Sequence, residues 1–453
     1  MPSPNNPKHS RAIQKLTSRQ AAVELLMDIE HKALLSSDAV FNLSRQHVMS
    51  SEDRRLAVRL IYGVLEQKLL LDYKLQQVSK TKLSKLDPYI HMILRVSLYQ
   101  LLFMDRIPES AVVNEAVKMS KKKGQHLSGF VNGVLRNFQR SKETLKLPER
   151  SEDEINYLSI TTSHPQWLVK RWISKFGIEF SEALMKSDNL TPPLTVRVNR
   201  LKSKPDEVRE KLANSGITSE SSWFFDYALI VHSGQDLVIQ DWPVFIEGEL
   251  YVQDIASMMV TEVLDPQPGE RILDMCAAPG SKTTHMAEKM NNQGTIIARD
   301  VSDKKLQKIK ENAGRLGISI IHPEVGDGLI LDLDALEAYD RVLLDAPCSG
   351  LGIIRRKPEI RFRRQPEDLA ALVKLQTKLL ENASRYVKQG GILVYSTCSV
   401  DPDENEGVVT AFLASNAEYK LMDTPWSDED GLIRLYPSVH QTDGFFIAKM
   451  VRV

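Results

Sequence analysis

With 453 residues the chain is too long for one ordinary hydrophobic core, and two or three domains are expected. Its composition, 42% hydrophobic and 26% charged, is that of a globular protein, and no apolar run approaches the roughly 18 residues of a membrane span. The 59 basic and 59 acidic side chains balance overall but not locally: residues 1–140 carry 22 basic against 12 acidic, the remainder 37 against 47, which favours a polyanionic partner for the front of the chain.

The first ten residues hold prolines and asparagines where a signal peptide would be apolar. Three separated cysteines, at 276, 348 and 398, make neither a disulfide framework nor a C-x2-C zinc pattern. The expected setting is the cytoplasm, with free thiols, no metal and no membrane contact.

From Ser18 to Arg140 apolar residues recur at helical spacing, as in Ala21, Ala22, Leu25, Leu26 and Ile29, and again in Leu56, Leu60, Ile61, Val64 and Leu65. Asp87-Pro88 opens a further run, with proline where a helix's first turn tolerates its missing N–H. Pro108–Ser110 separates that run from a helix over 111–122, and Phe130–Phe138 reads as the last helix. An all-α domain of five to seven helices is predicted over residues 10–141, its positive excess favouring RNA contact over a scaffold role alone. Residues 142–162, charged at the start and carrying Pro148, read as a linker.

Residues 163–249 are mixed. A helix over 166–176 precedes the alternating run Leu194–Asn199, a helix over 205–215 and short strands over 228–231 and 237–239. They predict a small α+β subdomain; Arg197, Asn199 and Arg200 on its first strand fit either a nucleic-acid surface or packing. From residue 250 to 453, β-rich apolar runs alternate with amphipathic helices: 271–276, 295–300, 318–325, 341–345, 391–396 and 445–451. That alternation predicts an α/β Rossmann-like domain, a parallel sheet with helices on both faces and ligands beyond the carboxyl ends of the strands.

The unusual residues fall at those ends. Asp274–Thr283 follows the first strand and opens a helix, and small residues at 277, 278 and 280 let the backbone approach a ligand. The turn lacks the G-x4-G-K-[ST] of a phosphate loop and the G-x-G-x-x-G of dinucleotide binders. Asp300 ends the second strand, where a carboxylate takes ribose hydroxyls, and Asp327 follows the third, poised for an adenine edge. Cys348, in Asp345–Gly350, and Cys398, in Ser396–Ser399, end consecutive strands, so both thiols face one cleft if those strands are neighbours. Just past Cys348 lies a basic run, Arg355, Arg356, Lys357, Arg361, Arg363 and Arg364, interrupted by Phe362 and suited to gripping phosphates beside an unstacked base.

Arg106–Pro108, Val113–Val117 and Val131–Asn137 resemble the all-helical RNA-binding domain of the antitermination factor NusB. Asp274–Thr283, Asp345–Gly352, Arg355–Ile360 and Gly390–Ser399 with Glu404–Glu406 resemble the S-adenosylmethionine-dependent RNA cytosine-5 methyltransferases of the Fmu/Sun family. The two resemblances together span nearly every segment and imply a monomeric enzyme acting on free or early-assembly 16S ribosomal RNA. Cytosine C5 is a poor nucleophile, so in this chemistry a thiolate first adds to C6, and the adduct later loses the C5 proton and expels the thiolate. By resemblance Cys398 is the attacking thiol, Cys348 assists release of the product, and Asp345 hydrogen-bonds the cytosine. Cys276, Ala277, Ala278, Pro279, Gly280, Ser281, Lys282, Asp300, Asp327 and Asp345 are the implied cofactor contacts. DNA cytosine-5 methyltransferases attack from a Pro-Cys motif, which keeps Cys348 as the rival nucleophile. A cofactor-binding assembly factor without turnover is the alternative from another class, disfavoured by the retention of both thiols and the carboxylate.

Overall fold

The computed structural model describes residues 16–32, 34–46, 49–232 and 239–453. The chain divides into two compact units, residues 1–170 with 357–359, and residues 171–356 with 360–453.

The first unit is helical. It comprises α1 (Ser18–His31), α2 (Ser36–Gln46), α3 (Ser51–Glu66), α4 (Lys68–Val78), α5 (Pro88–Phe103), α6 (Glu109–Ser120), α7 (Gln125–Ser141) and α8 (Glu154–Thr162). Local chemistry sets several starts: Thr17 and Gln20 form a reciprocal capping box on α1, and Asp87 accepts the Tyr89 and Ile90 N–H groups ahead of Pro88. The α5 helix is buried from Met92 to Leu101, and the others pack their apolar stripes around it. Gly63 lets α3 lie against it, since a Cβ there would fall 2.0 Å from the Tyr99 ring. Arg95, buried within the bundle, is matched by Asp72 (2.7 Å) and Glu30 (3.0 Å).

The predicted linker is only partly one. Residues 145–153 are irregular apart from turns, but 154–162 form α8, capped by Asp153 accepting the Asn156 N–H, and Ser163 Oγ accepts the Leu69 N–H at 2.8 Å. That helix therefore belongs with the helical unit. Its signal was an acidic cap before an apolar run.

The second unit begins with α9 (Gln166–Phe176, whose first residues fall in the helical unit) and α10 (Ile178–Ser187). There follow β1 (Leu194–Val198), α11 (Pro205–Asn214), β2 (Ser219–Ser221), β3 (Ala228–Val231), α12 (Pro243–Ile246) and β4 (Leu250–Val252). The four strands form an antiparallel sheet in the order β2-β3-β1-β4. Residues 237 and 238 of the strand predicted over 237–239 lie outside the described residues, while Ile239 opens a 3-10 turn. The sheet also draws in β4, which the sequence boundary at 250 assigned to the catalytic domain, because Val252 pairs with Val196.

Of the two readings of β1, packing holds for two of its three polar residues. Arg197 and Asn199 do not face a nucleic acid; both are fully buried. The Arg197 guanidinium donates to Glu288 (2.8 Å) and to Ser281 O (3.0 Å) and Thr284 Oγ1 (3.1 Å) at the start of the helix after Asp274, while Asn199 donates to Gly248 O and Leu316 O. Of the three polar residues singled out there, Arg200 alone is exposed.

The rest is α13 (Ile255–Leu264), β5 (Arg271–Asp274), α14 (Ser281–Lys289), β6 (Thr295–Asp300), α15 (Asp303–Leu316), β7 (Ile321–Val325), β8 (Tyr339–Asp345), α16 (Ile360–Arg363), α17 (Pro366–Arg385), β9 (Val387–Thr397), α18 (Glu406–Ser415), β10 (Tyr419–Leu421), β11 (Leu432–Leu435), α19 (Pro437–His440) and β12 (Phe445–Arg452). The sheet runs β10-β12-β9-β8-β5-β6-β7, with β11 also on β12. Strands β5 to β9 are parallel as predicted; β12 returns antiparallel to β9, β10 and β11, so the sheet is mixed. Strand order reverses between β5 and β8, so the turns after Asp274 and Asp345 flank the crevice where such sheets bind ligands.

Candidate active site

The turn after β5 is held from below. Ala277 N–H donates to Arg299 O (2.8 Å) and Gly280 N–H to Ala277 O (2.8 Å), and Gly280 takes φ +98°, which delivers Ser281 to the start of α14. Beneath it Asp274 is buried; its Oδ2 accepts from Thr283 Oγ1 at 2.6 Å, and its Oδ1 has no partner among the described residues. Asp300 is buried at the end of β6, with Oδ1 accepting the Ser302 N–H. Asp327, past β7, is exposed and accepts the Leu329 N–H. Arg299 leaves this side, paired to Glu324 and Asp332. An orphaned carboxyl oxygen and two further aspartates make an acceptor-rich site, fitting a ligand with an ammonium group, ribose hydroxyls and an adenine amine.

Burial, opposed by the Thr283 hydrogen bond and reinforced by the Asp345 charge, pushes the Asp274 carboxyl up to about 7. Between the ordinary carboxyl range and 7 the folded chain keeps a proton that the unfolded chain has released. This contribution to stability is therefore present at low pH and lost as pH rises through 7. Asp274→Asn is expected to flatten the pH dependence of the cofactor-free enzyme's urea midpoint between pH 5 and 8, with a gain of up to a few kcal/mol at pH 8.

Across the crevice, Lys282 and Asp345 meet. Lys282, buried in the first turn of α14, donates Nζ–H to Asp345 Oδ2 (2.6 Å), and Ser396 Oγ donates to Asp345 Oδ1 (2.8 Å). Burial works against the Lys282 ammonium, but Asp345, helped by Cys398 and Asp274, outweighs it and holds the ammonium above its usual range. Lys282 thus holds the Asp345 carboxylate in place with a buried positive charge.

The two cysteines of the predicted cleft are in contact, with Cys348 Sγ 3.2 Å from Cys398 Sγ. The hydrogen bond to Cys398, then burial and the charges of Cys398, Glu404 and Asp345, raise the Cys348 thiol well above its ordinary range. Cys276 stands apart: burial, then the charges of Asp274, Asp345 and Asp300, push its thiol far up, making it a poor nucleophile.

A polar clamp unnoticed in the sequence fixes the thiol pair. Glu404, fully buried, accepts Ser349 N–H (2.8 Å), Ser349 Oγ–H, Ser399 Oγ–H (2.6 Å) and Gln376 Nε2–H (2.9 Å). Asn405 accepts from Thr397 Oγ1 (2.6 Å) and donates to Ser399 O (3.0 Å). Glu404-Asn405 was visible only as part of a motif; its task depends on turns some 50 residues apart meeting in space.

The basic run departs from its predicted role. Arg355 and Arg361 are buried, Arg355 donating to Asp443 (3.0 Å) and Arg361 to Asn189 (2.8 Å) and Asp188 O (3.3 Å). Arg356 is paired to Asp443 and to Asp254 (2.7 Å). Arg364 donates to Ser349 O (2.9 Å) and Cys348 O (3.2 Å). Arg364 thus braces the cysteine turn, while Arg355, Arg356 and Arg361 are committed to interior carboxylates, an amide and a carbonyl instead of phosphates. Lys357 and Arg363 are half-buried.

Comparison with known proteins follows the same division. Residues 16–140 match the NusB family, 164–237 the ferredoxin-like domain of RsmF/B-like methyltransferases, and 261–451 the 16S rRNA methyltransferase RsmB/F family. A protein described as probable ribosomal RNA small subunit methyltransferase B, from Bacillus subtilis, is 36% identical over 449 residues, 97% of this chain and 99% of that one. A methyltransferase homologue from Pyrococcus horikoshii shares 31% identity and a TM-score of 0.60 over 66% of this chain and 99% of its own. From the same organism NSun6, solved with SFG, shares 26% identity and a TM-score of 0.58 over 64% of this chain and 98% of its own. Length coverage, identity and the acceptor-lined crevice agree: the chain belongs to the ribosomal RNA small subunit methyltransferase B family and is an S-adenosylmethionine-dependent ribosomal RNA methyltransferase.

Proposed function

We propose that the enzyme methylates C5 of a cytosine in 16S ribosomal RNA through a covalent Cys398–C6 adduct. The observation that carries this reading is the Cys348–Cys398 contact beside the Asp345–Lys282 pair. A lone activated thiol would suit many reactions. Two thiols and a carboxylate in one crevice suit one that makes and then breaks a carbon–sulfur bond.

In this reading Cys398 attacks C6 as the thiolate, in the same crevice as the Lys282–Asp345 pair. Asp345, fixed by Lys282 and Ser396, hydrogen-bonds the cytosine N3 and amino edge and steadies the protonated adduct. Cys348 then assists departure of Cys398 from the methylated base. S-adenosylmethionine supplies the methyl group; the turn from Cys276 to Lys282 holds it, with Asp300 toward the ribose and Asp327 toward the adenine. The helical unit adds RNA affinity through its positive excess, as in the exposed Lys121–Lys123.

The enzyme incubated with labelled S-adenosylmethionine and protein-free 16S ribosomal RNA is expected to produce 5-methylcytosine at one position. Label found on another base, or no label while cofactor binds, would sink the proposal.

A further inference from the structure

The 3.2 Å contact between Cys348 and Cys398 has a second chemistry available to it. The two turns are tied on both sides of the thiols, Ala346 N–H to Ser396 O at 2.8 Å and Gly352 N–H to Cys398 O at 2.9 Å. At Gly352 the chain passes so close to Gly444 that a Cβ would lie 2.0 Å from the Gly444 carbonyl oxygen. A disulfide spans about 2.05 Å, so the sulfurs have roughly 1.2 Å to close. Both cysteines are half-buried, open to a small oxidant.

We propose that the pair is also a reversible oxidation site, in which a hydroperoxide converts the two thiols into an intramolecular Cys348–Cys398 disulfide and halts methylation. The Cys398 thiolate attacks a peroxide oxygen, the O–O bond breaks, and the departing oxygen takes a proton to leave as water or an alcohol. The Cys348 sulfur then attacks the resulting sulfenic sulfur; the S–S bond forms, the S–O bond breaks, and the hydroxide leaves as water with the Cys348 proton. The two thiols lose two electrons and the peroxide gains them. A dithiol reverses the change by exchange, itself becoming a disulfide and restoring both S–H groups. Trapping the sulfenic acid diverts the nucleophile from sulfinic acid, which ordinary thiols do not reverse.

Bond formation follows from the geometry alone, whereas the loss of activity rests on Cys398 being the nucleophile. The test treats full-length enzyme with hydrogen peroxide, then denatures it and blocks remaining thiols with iodoacetamide, and maps peptides by mass spectrometry before and after dithiothreitol, with methyl transfer of the folded enzyme assayed in parallel. A Cys348–Cys398 peptide, alkylated Cys276, and activity lost by more than about tenfold and regained with dithiothreitol are expected. In Cys348→Ser the same treatment is expected to carry Cys398 on to sulfinic acid that dithiothreitol does not reverse. Sulfinic acid at Cys398 of the unaltered enzyme with no cross-linked peptide would overturn the oxidation site and leave the nucleophile assignment standing. A cross-linked enzyme that still methylates would overturn the switch and that assignment together.

Discussion

Cys398→Ala is expected to lower methyl transfer by at least about four orders of magnitude, the scale of loss when the attacking atom of a covalent mechanism is removed, with S-adenosylmethionine binding retained. Cys348→Ala is expected to fail differently, by accumulating protein joined to methylated RNA. The reason lies in the proton: Cys348 keeps its own, held by the hydrogen bond to Cys398 and by burial. A thiol held neutral suits the later step. Denaturing gels with labelled RNA and each variant read the difference directly. An adduct from the Cys398 variant and none from the Cys348 variant would exchange the roles.

The second large effect is expected at Glu404, which touches no reacting atom. Glu404→Ala removes from the interior the acceptor shared by the Ser349 N–H, two serine hydroxyls and one Gln376 amide hydrogen, a loss of about 3–5 kcal/mol in urea unfolding. Because the clamp sets the separation of the thiols, kcat is expected to fall by about a hundredfold where the protein remains folded, the cost of displacing a reacting group by roughly 1 Å. Glu404→Gln keeps the shape but turns one acceptor into a donor. It is expected to lose about 1–2 kcal/mol, since the serine hydroxyls can rotate to accept. Equal unfolding midpoints for the alanine variant and the unaltered enzyme would refute the clamp.

Legibility in the sequence followed the range of the interactions. Strands β5, β6, β8 and β9 were visible because a buried parallel strand is a short apolar run, and the sites at their carboxyl ends came with them. The bundle was visible through helical periodicity and through Asp87-Pro88, a cap that works within one turn. The fates of Arg355, Arg356, Arg361 and Arg197 were not. Their partners Asp443, Asp254, Asp188 and Glu288 lie 88, 102, 173 and 91 residues away along the chain, and nothing local separates a buried guanidinium from a solvated one. Clustered arginines were read as a surface because clustering is all that a sequence displays. Glu404 escaped for the same reason. The antiparallel return of β12 was hidden too, since an apolar run carries no direction.

Arg197 also bears on how the chain can be cut. A fragment beginning at residue 261, where the methyltransferase match starts, would discard Arg197, Gln253 and Asp254. Glu288 would then keep its buried place without a counter-charge, and Arg356 would lose one of its two carboxylates. The smallest autonomous catalytic piece therefore includes the four-stranded sheet, and swapping that sheet between relatives to retarget the enzyme would have to carry the residue facing Glu288 along with it.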